Sequence, residues 1–459
     1  MTTATDPHSA FIEAACVPID QRHVSGTLDR ANEILAAHPD VARASIYVAA
    51  ILGNDDDVRT FLERDRASGT VKGGPYHWDA LTHLCFSRFL RLDRTRSDGF
   101  VQAATALLDA GANANTGWFE TTHQPDGVFE SAIYGTAGVA HHAELTRLLL
   151  ERGADPNDDE TPYHAAEGYD NAAMQVLVAS GKMNADSLTT LLIRKADWHD
   201  AEGIRWLLAQ GADPNRMTRW GRTALFHAVQ RDNDLAIIEA MLAHGGDPSI
   251  PSKAAGVFSE HRLSTSALAA RRGRGDVLAA LERHGKPVAL QGLDALLAAC
   301  ARDDSARIES LVEQEPALLE ALRADGGRAL AEFSGVGNSA GVRQLLDLGV
   351  DVSAPYASGN PYFDIARGSQ AIHVAAWRAQ HDTLQLLLER GSPVDTVDGN
   401  GRTPLALAIR ACVDSYWSED RVPTSVRALL DAGASVHGRG VVFPSGYEDV
   451  DALLRARGA

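Results

Sequence analysis

One ten-residue phrase recurs along the chain and constrains the fold more than any other feature. The copy at residues 148–157 reads Leu-Leu-Leu-Glu-Arg-Gly-Ala-Asp-Pro-Asn, and close copies occupy residues 107–115 and 207–215. More divergent copies follow in the second half of the chain. Self-similarity at a period of about 30 to 45 residues indicates small units that stack side by side. Such an array offers an extended surface, which favours binding as its function.

Each copy of the phrase has the chemistry of a helix end. Its leucines recur on one helical face, and the glycine after them can adopt the left-handed conformation that closes a helix. A second, shorter apolar stretch precedes each phrase, as at Thr403-Pro404, where Thr can cap a helix and Pro suits its first turn. The pattern therefore predicts helix-turn-helix units. Their closing glycines are Gly111, Gly153, Gly181, Gly211, Gly245, Gly285, Gly349, Gly391 and Gly433.

The units resemble the ankyrin repeat, whose consensus is Thr-Pro-Leu-His-x-Ala-Ala followed by a Leu-rich helix and Gly-Ala-Asp. Residues 371–376 (Ala-Ile-His-Val-Ala-Ala) and 403–408 (Thr-Pro-Leu-Ala-Leu-Ala) carry the first half of that pattern. The resemblance implies an all-α fold, an ankyrin-repeat solenoid of about eleven helix-turn-helix units plus terminal caps. Together with a composition rich in Ala and Arg and poor in Lys, it suggests a bacterial-type array.

We expect four segments along this array. Residues 1–40 form N-terminal capping helices, and residues 41–285 hold repeats whose concave face is rich in His and aromatic residues. Residues 286–449 continue the repeats, and residues 450–459 form a closing helix. The spacing of the units changes near residues 286–292, so a break in the array at that point stays open.

Composition limits the classes of partner and the compartment. The 61 acidic and 43 basic residues give a net charge of −18, which argues against nucleic acid, because phosphate contacts need clustered Lys and Arg. No apolar run approaches the ~20 residues of a membrane span, and no secretory pattern opens the sequence. Four widely spaced cysteines indicate buried free thiols in a reducing compartment. We therefore expect a cytoplasmic protein that uses no cofactor.

Five insertions interrupt the repeat pattern, and insertions in repeat proteins gather on one face, which is often the binding face. The resemblance places three of them, at 116–127, 251–262 and 354–368, beside the concave face as fingers between units. These fingers carry aromatic residues in polar loops. The aromatics either anchor a partner or pack the finger onto its own helices, and the sequence leaves both alternatives open.

Units two to six are chemically unusual. In the helices expected to line the groove, polar residues occupy the position before the small-residue pair. A structural alternative is that these histidines are displaced copies of the consensus His. The candidate binding residues are Trp78, His83, Trp118, Phe119, His123, Tyr134, Tyr163, His164, Arg194, Trp198, Trp220, His227 and Phe258.

Sequence motifs give little support to catalysis. Neighbouring helices pack about 8–10 Å apart, so histidines in alternate units lie too far apart to share one zinc ion, and we expect no metal site. An acid–base reaction would use His164 with Glu167, three residues apart on a helix, and His83. We expect a scaffold that binds a protein or peptide partner through its concave face and fingers, rather than an enzyme. The alternative is a small-molecule site or acid–base enzyme in repeats two to six.

Overall fold

In a computed structural model the described residues are 6–17, 26–121, 127–253, 262–415 and 421–459. The chain divides into two compact units, Met1–Ala228 and Val229–Ala459. Within the described residues no helix is long and apolar enough to cross a membrane.

In its described residues the first unit consists of short helices and one pair of strands. Helix α14 runs across its boundary with the second unit. The elements are α1 (Pro7–Ala15), α2 (Asp29–Ala37), α3 (Ile46–Ile51), α4 (Asp55–Arg64), α5 (Ala80–Cys85), α6 (Arg88–Leu92), α7 (Ser97–Ala110), β1 (Gly117–Glu120), β2 (Val128–Ser131), α8 (Ala132–Tyr134), which continues as a π-helical turn (Gly135–Val139), α9 (Ala143–Glu151), α10 (Glu160–His164), α11 (Ala172–Ala179), α12 (Ala185–Asp197), α13 (Ala201–Ala209) and α14 (Ala224–Gln230).

The second unit is helical in its described residues. Its elements are α15 (Leu235–Ala243), α16 (Thr265–Arg271), α17 (Gly275–Arg283), α18 (Gly292–Ala301), α19 (Ser305–Gln314), α20 (Ala317–Ala324), α21 (Gly326–Gly335), α22 (Ser339–Asp347), α23 (Ala371–Trp377), α24 (His381–Glu389), α25 (Pro404–Asp414), α26 (Thr424–Asp431) and α27 (Glu448–Arg455).

The recurring phrase ends a helix, as predicted. Leu145, Leu149 and Leu150 of α9 are buried where this helix packs on α7 and α11. Gly153 then takes a φ of 96°, and the next amide, of Ala154, donates to the Leu149 carbonyl at 2.9 Å. All nine predicted closing glycines have positive φ. Helix–turn–helix stacking is therefore confirmed as the fold class.

Helix packing continues across residues 286–292, where the sequence left a break in the array open. Helix α18 packs on α16 and α17, which precede this segment.

A glycine-rich stretch joins α21 to α22. Helix α21 ends at Gly335, and Asn338 caps α22 by accepting from the Gly341 amide at 2.8 Å. This glycine-rich stretch is thus a tight link between paired helices.

The finger at 116–127 adds an element that the all-α prediction does not include. Strands β1 and β2 pair antiparallel, with Trp118 opposite Glu130 and Phe119 opposite Phe129. Side chains alternate between the two faces of a strand. Accordingly Trp118 is 6% exposed and packs inward, while Phe119 is 68% exposed and points outward. One finger thus contains both a packing aromatic and an exposed one.

The finger at 354–368 is held down by buried polar contacts within the second unit. The Tyr356 hydroxyl donates to Glu332 at 2.6 Å, and the Trp377 indole donates to the Phe363 carbonyl at 2.7 Å. Tyr356 and Phe363 are both buried. Arg231 lies over the Tyr362 ring at 3.4 Å. The aromatic residues of this finger therefore pack it onto its own helices.

Candidate functional site

A histidine between two carboxylates marks the polar part of the first unit. His164 Nε2 lies 3.1 Å from Glu160, and its Nδ1 lies 3.2 Å from Glu167. All three side chains extend from α10 or the turn after it, at spacings of four and three residues that place side chains on one helical face. Burial alone would lower the pKa of His164, but the two carboxylates raise it to about 9. At neutral pH the ring is therefore an imidazolium.

The contacts continue from α10 into α12 and α14. Arg194 donates to Glu167 at 2.9 Å and forms an ion pair with Asp197. Asp197 in turn lies 2.8 Å from Nε2 of His227. These six residues form one alternating series, which we call the ionic chain: Glu160, His164, Glu167, Arg194, Asp197 and His227.

Aromatic rings cover the middle of the ionic chain. The Arg194 guanidinium lies 3.9 Å from the centre of the Tyr163 ring, close enough for a cation–π contact. Tyr163 also packs against His164 and Trp220, at 4.9 and 5.8 Å between ring centres. The predicted residues Tyr163, His164, Arg194, Trp220 and His227 are thus brought together in one place.

A second group, the aromatic cluster, consists of Trp78, His83, Phe86, Trp118 and Tyr134. Trp78 stacks on Trp118 at 5.1 Å and lies 5.4 Å from His83, and Phe86 contacts Trp118 and Tyr134 at 5.8 and 5.9 Å. Tyr134 lies 5.3 Å from His164 and so links the cluster to the ionic chain. Through Trp118 these rings hold the finger against Trp78 and Phe86, which flank α5.

His83 belongs to the buried core of this cluster. Its Nδ1 lies 2.9 Å from the Asp79 carbonyl, and its Nε2 has no hydrogen-bond partner among the described residues. Burial lowers the pKa of His83 to about 4, despite the contact with Asp79. A neutral, enclosed imidazole that bonds the preceding turn fits the structural alternative for this histidine.

Glu130 is the most unusual carboxylate of the first unit. Its side chain is fully buried at 0% exposure, and neither of its oxygens has a hydrogen-bond partner among the described residues. It lies directly opposite Trp118 in the hairpin, and the Trp118 Nε1 also lacks a partner there. Burial, and then the negative charge of Glu160, raise the pKa of Glu130 to about 8. Unsatisfied buried polar groups are rare in folded proteins, so this pair calls for an explanation.

Two further predicted residues, Phe119 and Trp198, lie apart from these two groups. Phe119 contacts Phe129 on the outer face of the hairpin, at 5.1 Å between ring centres. Trp198 is exposed and contacts Tyr169 at 6.4 Å. His123 and Phe258 lie outside the described residues.

Three carboxylates of the site are absent from the sequence-based prediction: Glu160, Asp197 and Glu130. Spacing could have indicated two of them, since Glu160 lies four residues before His164 and Asp197 three residues after Arg194. Glu130 gives no such signal, because its burial depends on how the hairpin packs. In the described ranges, no group of three or more His, Cys, Asp or Glu residues is arranged to hold a metal ion.

Comparison with known families agrees with the repeat pattern. The family described as "Ankyrin repeats (many copies)" matches residues 190–242 and 372–414, which include all of α13, α14, α24 and α25 and most of α12, α15 and α23. The chain is an ankyrin repeat protein. The first matched segment holds Arg194, Asp197 and His227, so this half of the ionic chain lies within the matched repeats.

Similarity to curated proteins is confined to short segments. Serine/threonine-protein kinase 12 of Arabidopsis thaliana is 38% identical over 85 residues, 18% of this ankyrin repeat protein and 17% of the kinase. Cyclin-dependent kinase 4 inhibitor B of Bos taurus is 37% identical over 84 residues, 18% of this chain and 58% of the inhibitor. The chain thus spans less than two thirds of either relative.

Solved ankyrin repeat domains also align with this ankyrin repeat protein. The human ASB11 ankyrin repeat domain is 17% identical with a TM-score of 0.27, and the alignment covers 58% of this chain and 97% of that domain. An ankyrin repeat domain from Acinetobacter baumannii AYE is 19% identical with a TM-score of 0.30, over 52% of this chain and 97% of that domain.

Proposed function

We propose that this ankyrin repeat protein is a binding scaffold that holds a protein or peptide partner on its first unit. Ankyrin repeats generally mediate protein–protein interaction, which supports a scaffold role. The observation that carries the proposal is Phe119. Phe119 is 68% exposed on a hairpin whose opposite face is anchored by the buried Trp118. An exposed aromatic on an anchored element is a typical contact residue of protein interfaces.

The alternative of acid–base catalysis has less support. Both ring nitrogens of His164 lie within hydrogen-bond distance of a carboxylate, and the raised pKa keeps the ring protonated at neutral pH. A general base needs an unprotonated nitrogen that can reach its substrate. We therefore assign the ionic chain to shaping and charging the binding surface, together with Tyr163 and Trp220.

The test compares two neighbouring aromatic residues in the full-length chain. Peptides are selected from a displayed random library on the wild-type protein, and their dissociation constants are then measured by calorimetry. We expect Phe119→Ala to weaken binding by about tenfold or more without changing the melting temperature. Trp118→Ala should instead lower the melting temperature, because truncating a buried aromatic residue costs about 3–5 kcal/mol.

Phe443→Ala is the matched control, since it removes the same side chain from an exposed position in the second unit. It should leave binding unchanged. Equal affinity of the wild-type and Phe119→Ala proteins for every selected peptide would contradict the proposal, as would a library that yields no binding peptide.

We also infer a reducing compartment, and hence the cytoplasm, from the cysteines. Cys16, Cys85, Cys300 and Cys412 are all buried free thiols, and burial raises the pKa of each of them. Fractionation of cells that express the tagged chain tests this inference, and recovery from an oxidising compartment would contradict it.

A further inference from the structure

We propose that Glu130 receives a guanidinium group, carried by an arginine side chain of the partner, at the inner face of the hairpin. This inference rests on the proposed function and names the chemistry that the partner must bring. Its starting point is a carboxylate that is fully buried, directly opposite Trp118, and without a hydrogen-bond partner on either oxygen among the described residues.

Negative charges outnumber positive ones among the described groups that act on Glu130. Glu160 on α10, Glu120 on β1 and Asp158 before α10 all disfavour its ionised form, and His164 is the cation that favours it. His164 is already engaged by Glu160 and Glu167. A cation that entered beside Glu130 would therefore meet a negative local field and an unused carboxylate.

The geometry of the free acceptors favours a guanidinium over other cations. Both Glu130 oxygens are available, and a planar guanidinium can donate to both oxygens of one carboxylate in parallel. A lysine ammonium is a compact charge that lacks the two parallel N–H donors of a guanidinium. A metal ion would need several ligands at one point, and the described residues contain no such group. The indole ring of Trp118, opposite Glu130, adds an aromatic surface of the kind to which arginine binds.

Entry of the arginine requires local movement, because neither Glu130 oxygen is exposed. Strand β2 contacts α10, so the pair of strands must shift relative to that helix. Strands β1 and β2 pair with each other in a two-stranded sheet among the described residues, so they can shift together, and the partner's contacts must offset the Trp118 packing that the shift disturbs. A partner that contacts Phe119 on the outer face is bound to the same element and can stabilise the shifted position.

The experiment changes the peptide and the protein separately. Selected peptides are resynthesised with each arginine replaced by citrulline, which keeps the shape but removes the charge, or by lysine. One arginine should prove essential for binding. Replacing it by citrulline should weaken the affinity by at least about tenfold, and replacing it by lysine should weaken the affinity to an intermediate degree. In Glu130→Gln, arginine and citrulline peptides should bind alike. Glu144→Gln, at an exposed position of α9, should retain the wild-type preference.

Affinity should also depend on pH. The guanidinium binds the ionised carboxylate, whose pKa is raised to about 8 in the free protein. Binding of the arginine peptide should therefore strengthen as the pH rises from 6 to 8.5, and this dependence should be weaker in Glu130→Gln. The citrulline comparison on the wild-type protein stands even if the variant fails to fold.

The outcomes separate this inference from the proposed function. Selected peptides that need Phe119 but bind equally well with citrulline would overturn the inference and leave the scaffold in place. If the library yields no peptide, N-acetyl-arginine amide is titrated into the wild-type and Glu130→Gln proteins. Binding that requires Glu130 would then support a guanidinium site filled by a small molecule, and absence of binding would overturn the inference.

Discussion

At the scale of single residues, Glu130 is a carboxyl group whose ionised form the fold does not compensate. The pKa of Glu130 is raised from 4.5 to about 8 in the folded protein. Between pH 4.5 and pH 8 the folded protein therefore keeps a proton that the unfolded chain has released. A group whose pKa rises on folding stabilises the fold below its unfolded pKa, and this contribution is lost as the pH rises through the folded value. Glu130 should thus weaken the first unit progressively from about pH 4.5 to pH 8.

Glu130→Gln tests this linkage, because glutamine resembles the protonated acid at every pH. We expect the variant to be more stable than the wild-type protein by a few kcal/mol at pH 8.5, and by much less at pH 5. Melting curves at the two pH values measure the difference. A variant that is less stable than wild type at pH 8.5 would show that Glu130 is satisfied in the folded protein. His164, with its pKa raised to about 9, titrates over a higher range and remains in both proteins.

Sequence patterns predict residue contacts only where the local geometry decides them. The spacing of His164 and Glu167 predicts their proximity on one face, and the two side chains do lie 3.2 Å apart. Trp118 and Phe119 are adjacent aromatic residues. The sequence does not decide which of them packs the finger onto its own helices and which anchors a partner. Their strand alternation assigns packing to Trp118 and exposure to Phe119.

At the scale of elements, the helices follow from the sequence and the hairpin does not. Leucine periodicity and a closing glycine act within one helix, so the end of α9 at Glu151 and the turn at Gly153 are predictable. The strands at 117–120 and 128–131 depend instead on pairing between two segments and on packing against α10. Such tertiary contacts override local preferences, and an interrupted repeat gives no periodic signal for them.

The finger at 354–368 illustrates how an element is held in place by buried charges. Arg272 pairs with Asp232 at 2.6 Å and with Glu332 at 2.9 Å, and Glu332 accepts from Tyr356 of the finger. Arg378 lies 4.1 Å from the ring of Phe363. Removing one partner of a buried ion pair leaves the other charge uncompensated and costs about 3–5 kcal/mol.

We therefore expect Arg272→Met to destabilise the second unit by about 3–5 kcal/mol and to increase proteolysis within residues 354–368. Arg283→Met is the matched control, since Arg283 pairs with Glu239 at an exposed position, where an ion pair contributes little. Urea unfolding and limited proteolysis report the two effects. Equal stability of the two variants would contradict a clamping role for Arg272.

At the scale of the whole molecule, the candidate binding chemistry is concentrated in one of the two compact units. The ionic chain, the aromatic cluster, Glu130 and Phe119 all belong to Met1–Ala228. The repeats themselves extend into both units, since the family matches fall at 190–242 and at 372–414. The repeat pattern thus identifies the scaffold. The candidate residues divide between the repeat helices, which hold Arg194, Asp197 and His227, and the hairpin that interrupts the pattern, which holds Glu130 and Phe119.

The most direct test of this account is hydrogen exchange of the full-length chain with and without a peptide selected on it. A partner held on the first unit should slow exchange at the hairpin, within residues 117–121 and 127–131, and in the helix and turn at 160–167. The second unit should exchange at the same rate in both samples. Protection confined to residues 229–459, with the hairpin unchanged, would contradict the assignment of binding to the first unit.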